Sequence, residues 1–181
     1  MHDERRTANL LGAASLGLSD LLLAGATAVA GTSGSGAAAL VVLYTDAGLS
    51  VTELGRCIGL TQSAAARMVH GLERQGLVRR EPTRGRPVAL HPTDLGRQTA
   101  RKLLVSRSDA LTAALQHLDG NEQAQLEALL SKLLTGLCRR RGDAARLCRL
   151  CDRGTCVRNS ATCPVGQADR EQRARQEQDG G

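Results

Sequence analysis

Apolar residues recur at helical spacing from about Thr7 to Ala30, at Leu10, Leu11, Ala14, Leu18, Leu21 and Leu22, and predict a long helix. Gly31-Thr32-Ser33-Gly34-Ser35-Gly36 breaks the pattern, and a shorter apolar helix is expected through Leu40 to Tyr44, ended by Gly48. Ser50-Val51-Thr52-Glu53 has the form of a capping box, in which the serine hydroxyl caps a backbone N–H and the glutamate reaches back to the cap. The helix it opens is short and stops at Gly59. Thr61 caps the next one, whose Ala65, Met68, Val69 and Leu72 share a face and which Gly76 terminates. Two extended runs, Val78 to Glu81 and Pro87 to Leu90, flank Thr83-Arg84-Gly85-Arg86 and predict a hairpin with a basic tip. Thr93 caps a long helix to about Leu118. Asp119-Gly120-Asn121 then turns the chain into a last helix striped by Leu126, Leu129, Leu130, Leu133, Leu134 and Leu137. From about Gln167 the pattern is lost in Gln, Arg, Glu and Gly, and the end is expected to be disordered.

Composition sharpens this picture. The 181 residues are 41% hydrophobic, with no Trp, no Phe and one tyrosine, Tyr44, so leucine, alanine and valine must build the core. Single-strand recognition by base stacking is thereby almost ruled out. The net charge is +6, which permits an anionic partner. Between Ser50 and Arg101, nine arginines (56, 67, 74, 79, 80, 84, 86, 97 and 101) face four acids (Glu53, Glu73, Glu81 and Asp94), a local excess of five positive charges. Such a segment has the electrostatic footprint of a phosphate-binding face. At the N-terminus, Arg5-Arg6 before an apolar run and Ala28-Val29-Ala30 imitate a secretory leader, but Asp3 and Glu4 precede the arginines and Asp20 interrupts the run. The break at residues 31–36 argues against a membrane span. The expected location is the cytoplasm, with no membrane partner.

A short helix, a three-residue turn, a second helix and a basic hairpin together form a winged helix-turn-helix. Gly59-Leu60 supplies the tight turn and its anchor. In the second helix the positions facing away from the core are Gln62, Ser63, Ala66, Arg67 and His70, behind the cap Thr61. Their small average size would let the helix sit deep in a major groove, where Gln62 and Arg67 can read base edges and Ser63 a phosphate. Arg84 and Arg86 would reach the neighbouring minor groove. Leu49 to Gly96 resembles the winged helix-turn-helix of the MarR family, with Leu49-Ser50-Val51-Thr52-Glu53-Leu54 opening it. Thr61-Gln62-Ser63-Ala64-Ala65-Ala66-Arg67-Met68-Val69 is similar to that family's recognition helix, and Leu72-Glu73-Arg74-Gln75-Gly76-Leu77-Val78 follows it. The resemblance extends over roughly residues 7–138. It implies a homodimer built from the terminal helices, repression at a palindromic operator in double-stranded DNA, and relief by a small-molecule or redox effector. Two positions depart from the family: Arg84 stands where the wing usually carries an acid, and Pro92 where an aliphatic residue is common.

Five of the six cysteines lie beyond Leu137. Cys148, Cys151, Cys156 and Cys163 follow the spacing C-x2-C-x4-C-x6-C, close enough to converge on one centre, with Gly154 letting the loop fold back. Zinc, an iron–sulfur cluster, or metal-free thiols that switch to disulfides all suit four such residues. Arg146, Arg149, Arg153 and Arg158 would offset the charge of a tetrathiolate. Cys138 stands apart, and Cys57 is expected to be a packed thiol. The loop's few apolar residues (Leu150, Val157 and Val165) are too few to order it by burial, so a metal would govern the tail rather than the DNA-binding fold.

The expected architecture is mainly α with a small β-hairpin wing: a winged helix-turn-helix with dimerisation helices in residues 1–138 (DNA-binding core 49–96), a Cys-rich segment in 139–166, and a disordered tail in 167–181. No carboxylate pair, activated nucleophile or phosphate-cradling glycine loop suggests an enzyme. Two functions compete: a dimeric DNA-binding regulator, and a winged-helix protein-interaction module with a structural zinc tail.

Overall fold

A computed structural model describes residues 4–83, 85 and 87–179. Helix α1 (Glu4–Ala30) leads into α2 (Gly34–Thr45), α3 (Val51–Ile58) and α4 (Gln62–Arg74). The strands β1 (Val78–Glu81) and β2 (Ala89–Pro92) precede α5 (Asp94–Leu115) and α6 (Gly120–Leu137). Short helices α7 (Asp143–Leu147) and α8 (Arg153–Cys156) then lead to α9 (Pro164–Asp179).

The core is organised around α2. Every residue from Gly36 to Leu43 is buried, so this helix has no polar face and must be enclosed on all sides. It packs on α1, α3, α4, α5 and β2. Leu40, Leu43, Leu54, Val69, Leu72 and Leu90 meet there, each contributing about 1.5–3 kcal/mol by leaving water. The expected break is shorter than predicted. Ser33 caps α2 by accepting from Gly36 N–H at 3.2 Å, which draws Gly34, Ser35 and Gly36 into its first turn.

Helix α1 packs along α5 and leaves Leu10, Leu16 and Leu21 exposed, Leu16 at 71%. By length and composition it is the one described helix that could cross a membrane. The break expected to exclude a span lies beyond its end and does not bear on that length.

The wing strands are antiparallel, with Val78 opposite Pro92 and Glu81 opposite Ala89. The second strand was expected at residues 87–90 and begins two residues later. Thr83 Oγ1 donates to Pro87 O at 2.7 Å, which holds Pro87 in the loop. At the other end, Thr93 N–H donates to Leu77 O at 3.0 Å and fixes the register. Leu49 adds a bridge to Leu90, tying the entry to α3 into the wing. The buried Pro92 fits as the last residue of β2, where no further ladder donor is needed. Helix α5 ends at Leu115 rather than near Leu118, because residues 116–118 close into a turn (Leu118 N–H to Leu115 O, 3.0 Å).

The chain's end overturns the expectation of disorder from residue 167, since Pro164–Asp179 is helical. Val165 and Ala168 are buried with Cys138, against Leu134, Ala144 and Leu147, and Gln172 Nε2 donates to Cys138 O. Two apolar residues one turn apart suffice to dock a helix whose sequence looks uniformly polar. The same small core answers the expectation that the cysteine loop lacks apolar support.

Two glycines give opposite stability predictions. A Cβ on Gly96 would collide with Leu77 O, where α5 begins against the wing, so Gly96→Ala should destabilise the fold by about 1–3 kcal/mol or more. A Cβ on Gly71, inside α4, meets nothing within 4 Å, so Gly71→Ala should stabilise by roughly 1 kcal/mol. Urea denaturation of both variants checks the pair, and a shift of the same sign in both would contradict the packing described.

Candidate nucleic-acid interface and cysteine cluster

The interface is built from α3 upward. Ser50 N–H and Ser50 Oγ–H donate to Glu53 Oε2 at 2.8 and 2.7 Å, and Glu53 N–H donates to Ser50 Oγ at 3.3 Å. The capping box is thus closed in both directions. Gly59 ends α3 at φ +76°, the left-handed conformation that glycine adopts without strain, and Leu60 N–H returns to Gly55 O at 2.9 Å. Gly55 is the contact that sequence reasoning missed: it is buried, and a Cβ there would lie 3.0 Å from Ala65 Cβ. The two helices of the motif touch at this point because both residues are small.

With Ala65, Val69 and Leu72 buried, the opposite face of α4 is turned outward. Thr61, Gln62, Ser63, Ala66, Arg67 and His70 are all exposed. Thr61 is the cap, accepting from Ala64 N–H at 3.3 Å. Arg67 and Arg74 form no ion pair with any described residue, whereas Arg80 pairs with Glu73 at 2.8 Å, Arg79 with Glu81 at 2.7 Å and Arg97 with Asp94 at 2.5 Å. Arg101 binds Tyr44, donating to its hydroxyl at 3.1 Å with the guanidinium 5.7 Å from the ring centre. The uniform basic footprint read from the sequence therefore divides: several arginines are held by partners, while the α4 face keeps unpaired charge. Arg84 and Arg86 lie outside the described residues. Gly85 between them has φ +68°, in keeping with a tight turn at the tip.

The MarR family profile matches residues 30–86, spanning α2 to the wing. A MarR family protein of Mycobacterium tuberculosis aligns at TM-score 0.59 and 25% identity, covering 72% of this chain and 95% of that one. Residues 30–86 of this chain are thus similar to the MarR family. The same mycobacterial protein solved in complex with DNA aligns at 0.58, with 25% identity over 70% of this chain and 95% of that one. A MarR family protein of Bacillus stearothermophilus shares the fold at TM-score 0.66 and 23% identity, over 77% of this chain and all (100%) of that one. MepR, a transcription regulator of the Staphylococcus aureus multidrug efflux pump MepA, does so at 0.64 and 18%, over 72% and 97%. No curated protein sequence matches the chain.

All the cysteines but Cys57 lie beyond the part matched by the MarR profile. Cys57 is half-buried in α3, and burial pushes its thiol up, with Asp46 adding to the effect, as expected of a packed side chain. Cys138 is buried in the small core under α9. Cys148, Cys151, Cys156 and Cys163 line one cavity of about 480 Å³, together with Ala144, Arg153, Val165, Arg170 and Arg173. The neighbouring Cys148, aided by Arg107 and Arg153, pulls Cys151 down to about 6, while Cys148 is pushed up by Cys151 and by burial. Burial first, then the neighbouring Cys163 and Cys151, push Cys156 up to about 11. Gly166 N–H donates to Cys163 Sγ at 3.4 Å. Among the described residues no three His, Cys, Asp or Glu side chains are grouped closely enough to hold a metal ion. Of the expected flanking arginines, Arg153 lines the cavity, whereas Arg146 lies against Gly59.

The capping box makes a pH prediction. The Ser50 hydroxyl, followed by the Ser50 N–H, holds the Glu53 carboxyl below its ordinary 4.5. A pKa depressed in the fold means that the stabilisation is complete above the unfolded value and is lost as pH falls through the folded one. Ser50→Ala should cost about 1 kcal/mol at neutral pH. The stability gap between the parent and Glu53→Gln should hold near neutrality and close under acid. A gap unchanged throughout the acid limb would show that the ionised carboxylate contributes nothing.

Proposed function

We propose that this chain is a sequence-specific double-stranded DNA-binding transcriptional regulator, a repressor acting in the cytoplasm as a homodimer on a palindromic operator. The observation that carries the reading is the outward face of α4, where small or polar residues surround an unpaired Arg67. A face of this kind fits a major groove, in which an arginine donates to a guanine edge. The mycobacterial relative solved in complex with DNA supports the same use of the fold. An interaction module would have no need of an unpaired cation at the centre of this helix.

Arg67→Ala should weaken operator binding by roughly 1–3 kcal/mol and relax base choice at one position. Arg84→Ala and Arg86→Ala should weaken binding to all sequences and flatten its dependence on salt. Binding by all three variants equal to that of the parent on a selected operator would favour the interaction module.

The dimer rests on apolar surface that one chain leaves open. Leu129, Leu130, Leu133 and Leu137 of α6 are exposed, Leu129 at 57% and Leu137 at 59%, and no residue of α6 is buried. Leu10, Leu11, Leu16 and Leu18 of α1 are similarly uncovered. Two such helices cover one another in a symmetric pair, which would set the α4 helices about 34 Å apart, one turn of duplex. Sedimentation at micromolar concentration should give a dimer, and Leu129→Glu with Leu133→Glu should shift it to monomer. A monomeric parent chain would remove the half-site geometry from the reading.

A further inference from the structure

The segment after α6 lies against the helix-turn-helix. Within α7, Ala144 and Leu147 share the face that packs into the small core with Cys138 and Val165, and α7 packs on α3 as well. Arg146 stands at that second contact: its Nε lies 3.3 Å from where a Cβ on Gly59 would stand, at the turn between α3 and α4. Leu150 packs against the main core, and Arg153 binds Asp46, just ahead of α3, at 2.8 Å. These contacts brace residues 146–153 from one end of α3 to the other. A tail expected to be governed apart from the DNA-binding fold therefore touches it directly.

The docked segment is strongly basic. Residues 139–158 carry seven arginines against Asp143 and Asp152, an excess of five positive charges. Neither acid bonds an arginine side chain. Asp143 Oδ2 accepts from the Arg139 and Arg140 backbone N–H groups at 3.0 and 2.7 Å, and Asp152 accepts from Thr155 N–H and Oγ1–H at 3.2 and 2.8 Å. Arg153 is neutralised by Asp46, and Arg139 is turned back onto α6, its Nε donating to Gly136 O at 2.9 Å. Arg140, Arg141, Arg146 and Arg149 are exposed and form no ion pair with any described residue. Arg149 is held beside Arg146, donating to its carbonyl at 2.6 Å. The cysteine cavity does not use these four, since its arginines are Arg153, Arg170 and Arg173. Like charges gathered so closely repel one another and draw an extended anion to the surface.

We propose that Arg140, Arg141, Arg146 and Arg149 form a second phosphate-binding surface, which grips the duplex backbone beside the major groove entered by α4. This surface deepens the DNA-binding function proposed above and rests on it. In a helix-turn-helix the second helix enters the groove while the first crosses the backbone. Arg146 stands where α3 ends and α4 begins, so its guanidinium and that of Arg149 border the strand that α3 crosses. A duplex carries one negative charge per roughly 1.7 Å of its axis, and an arginine meets a phosphate with two parallel N–H donors. Such a contact carries no base information. It adds affinity for every sequence and lengthens the bound stretch beyond the half-site that α4 reads.

The test uses the full chain, with a selected operator and an unrelated duplex of equal length, titrated over a range of salt. Two variants divide the surface: Arg140→Ala with Arg141→Ala, which leaves the backbone bond to Asp143 in place, and Arg146→Ala with Arg149→Ala. Each should weaken binding to both duplexes alike, roughly ten-fold at moderate salt, and make the slope of log affinity against log salt shallower by about two per protomer. Phosphate-ethylation interference should disappear at positions flanking the half-site. Arg146→Lys with Arg149→Lys should recover most of the slope, because a lysine charge also binds phosphate. Weaker binding with an unchanged slope would make the segment a brace and no more, and overturns the surface. Unchanged affinity and slope overturn it too, leaving the arginines as solvated charge, and so does a loss confined to the operator. A parent chain that binds neither duplex overturns the function proposed above, and the surface with it. A parent that binds and responds to Arg67→Ala, with these variants binding as it does, overturns the surface alone.

Discussion

Everything in this fold depends on α2 having no side that faces water. A helix buried from Gly36 to Leu43 can be accommodated only if other elements close round it, and α1, α3, α4, α5 and β2 do so. The chain achieves this without a phenylalanine or tryptophan. Small residues compensate by letting helices approach closely, as at Ala37, Ala38 and Ala39 on α2 and at the Gly55–Ala65 contact between α3 and α4. Packing to native density with small side chains leaves few ways to arrange the backbones, so the outward face of α4 is set by what lies behind it.

The elements legible in the sequence were those whose ends are written in local chemistry. Ser50 with Glu53, Thr61 and Thr93 each cap the helix that the spacing of apolar residues predicts, because a cap needs only neighbours in the chain. What escaped the reading is set at longer range. The register of β2 depends on Thr93 reaching back to Leu77. The order of α9 depends on Val165 and Ala168 finding Cys138 and Leu134. Periodicity cannot register a helix held by two small apolar residues. The exposed α4 residues were readable from the face opposite Ala65, Val69 and Leu72, whereas the pairing of Arg79, Arg80 and Arg97 with nearby acids was not, since it turns on side-chain geometry rather than composition.

The segment after Leu137 changes what the molecule can couple. The spacing of its cysteines was plain in the sequence, but not the place where the loop docks. Arg146 meets the turn between α3 and α4 and Arg153 binds Asp46 just ahead of α3, while Leu150 packs against the main core. Three modest contacts act together, since displacing the loop breaks them all at once. Exposed ion pairs such as Arg153 with Asp46 are individually weak, so such a brace is easily released, a property suited to regulation.

The pairing of Tyr44 with Arg101 has a spectroscopic consequence. Tyr44 is the chain's only aromatic side chain of the tyrosine, tryptophan and phenylalanine kind, and it stands where α2 meets α5. Ultraviolet emission and near-ultraviolet dichroism from these rings therefore come from a single locus at the edge of the core. Light absorbed beyond the tyrosine band belongs to no side chain of this protein, so the apoprotein is optically almost blank and any bound chromophore is seen against an empty background.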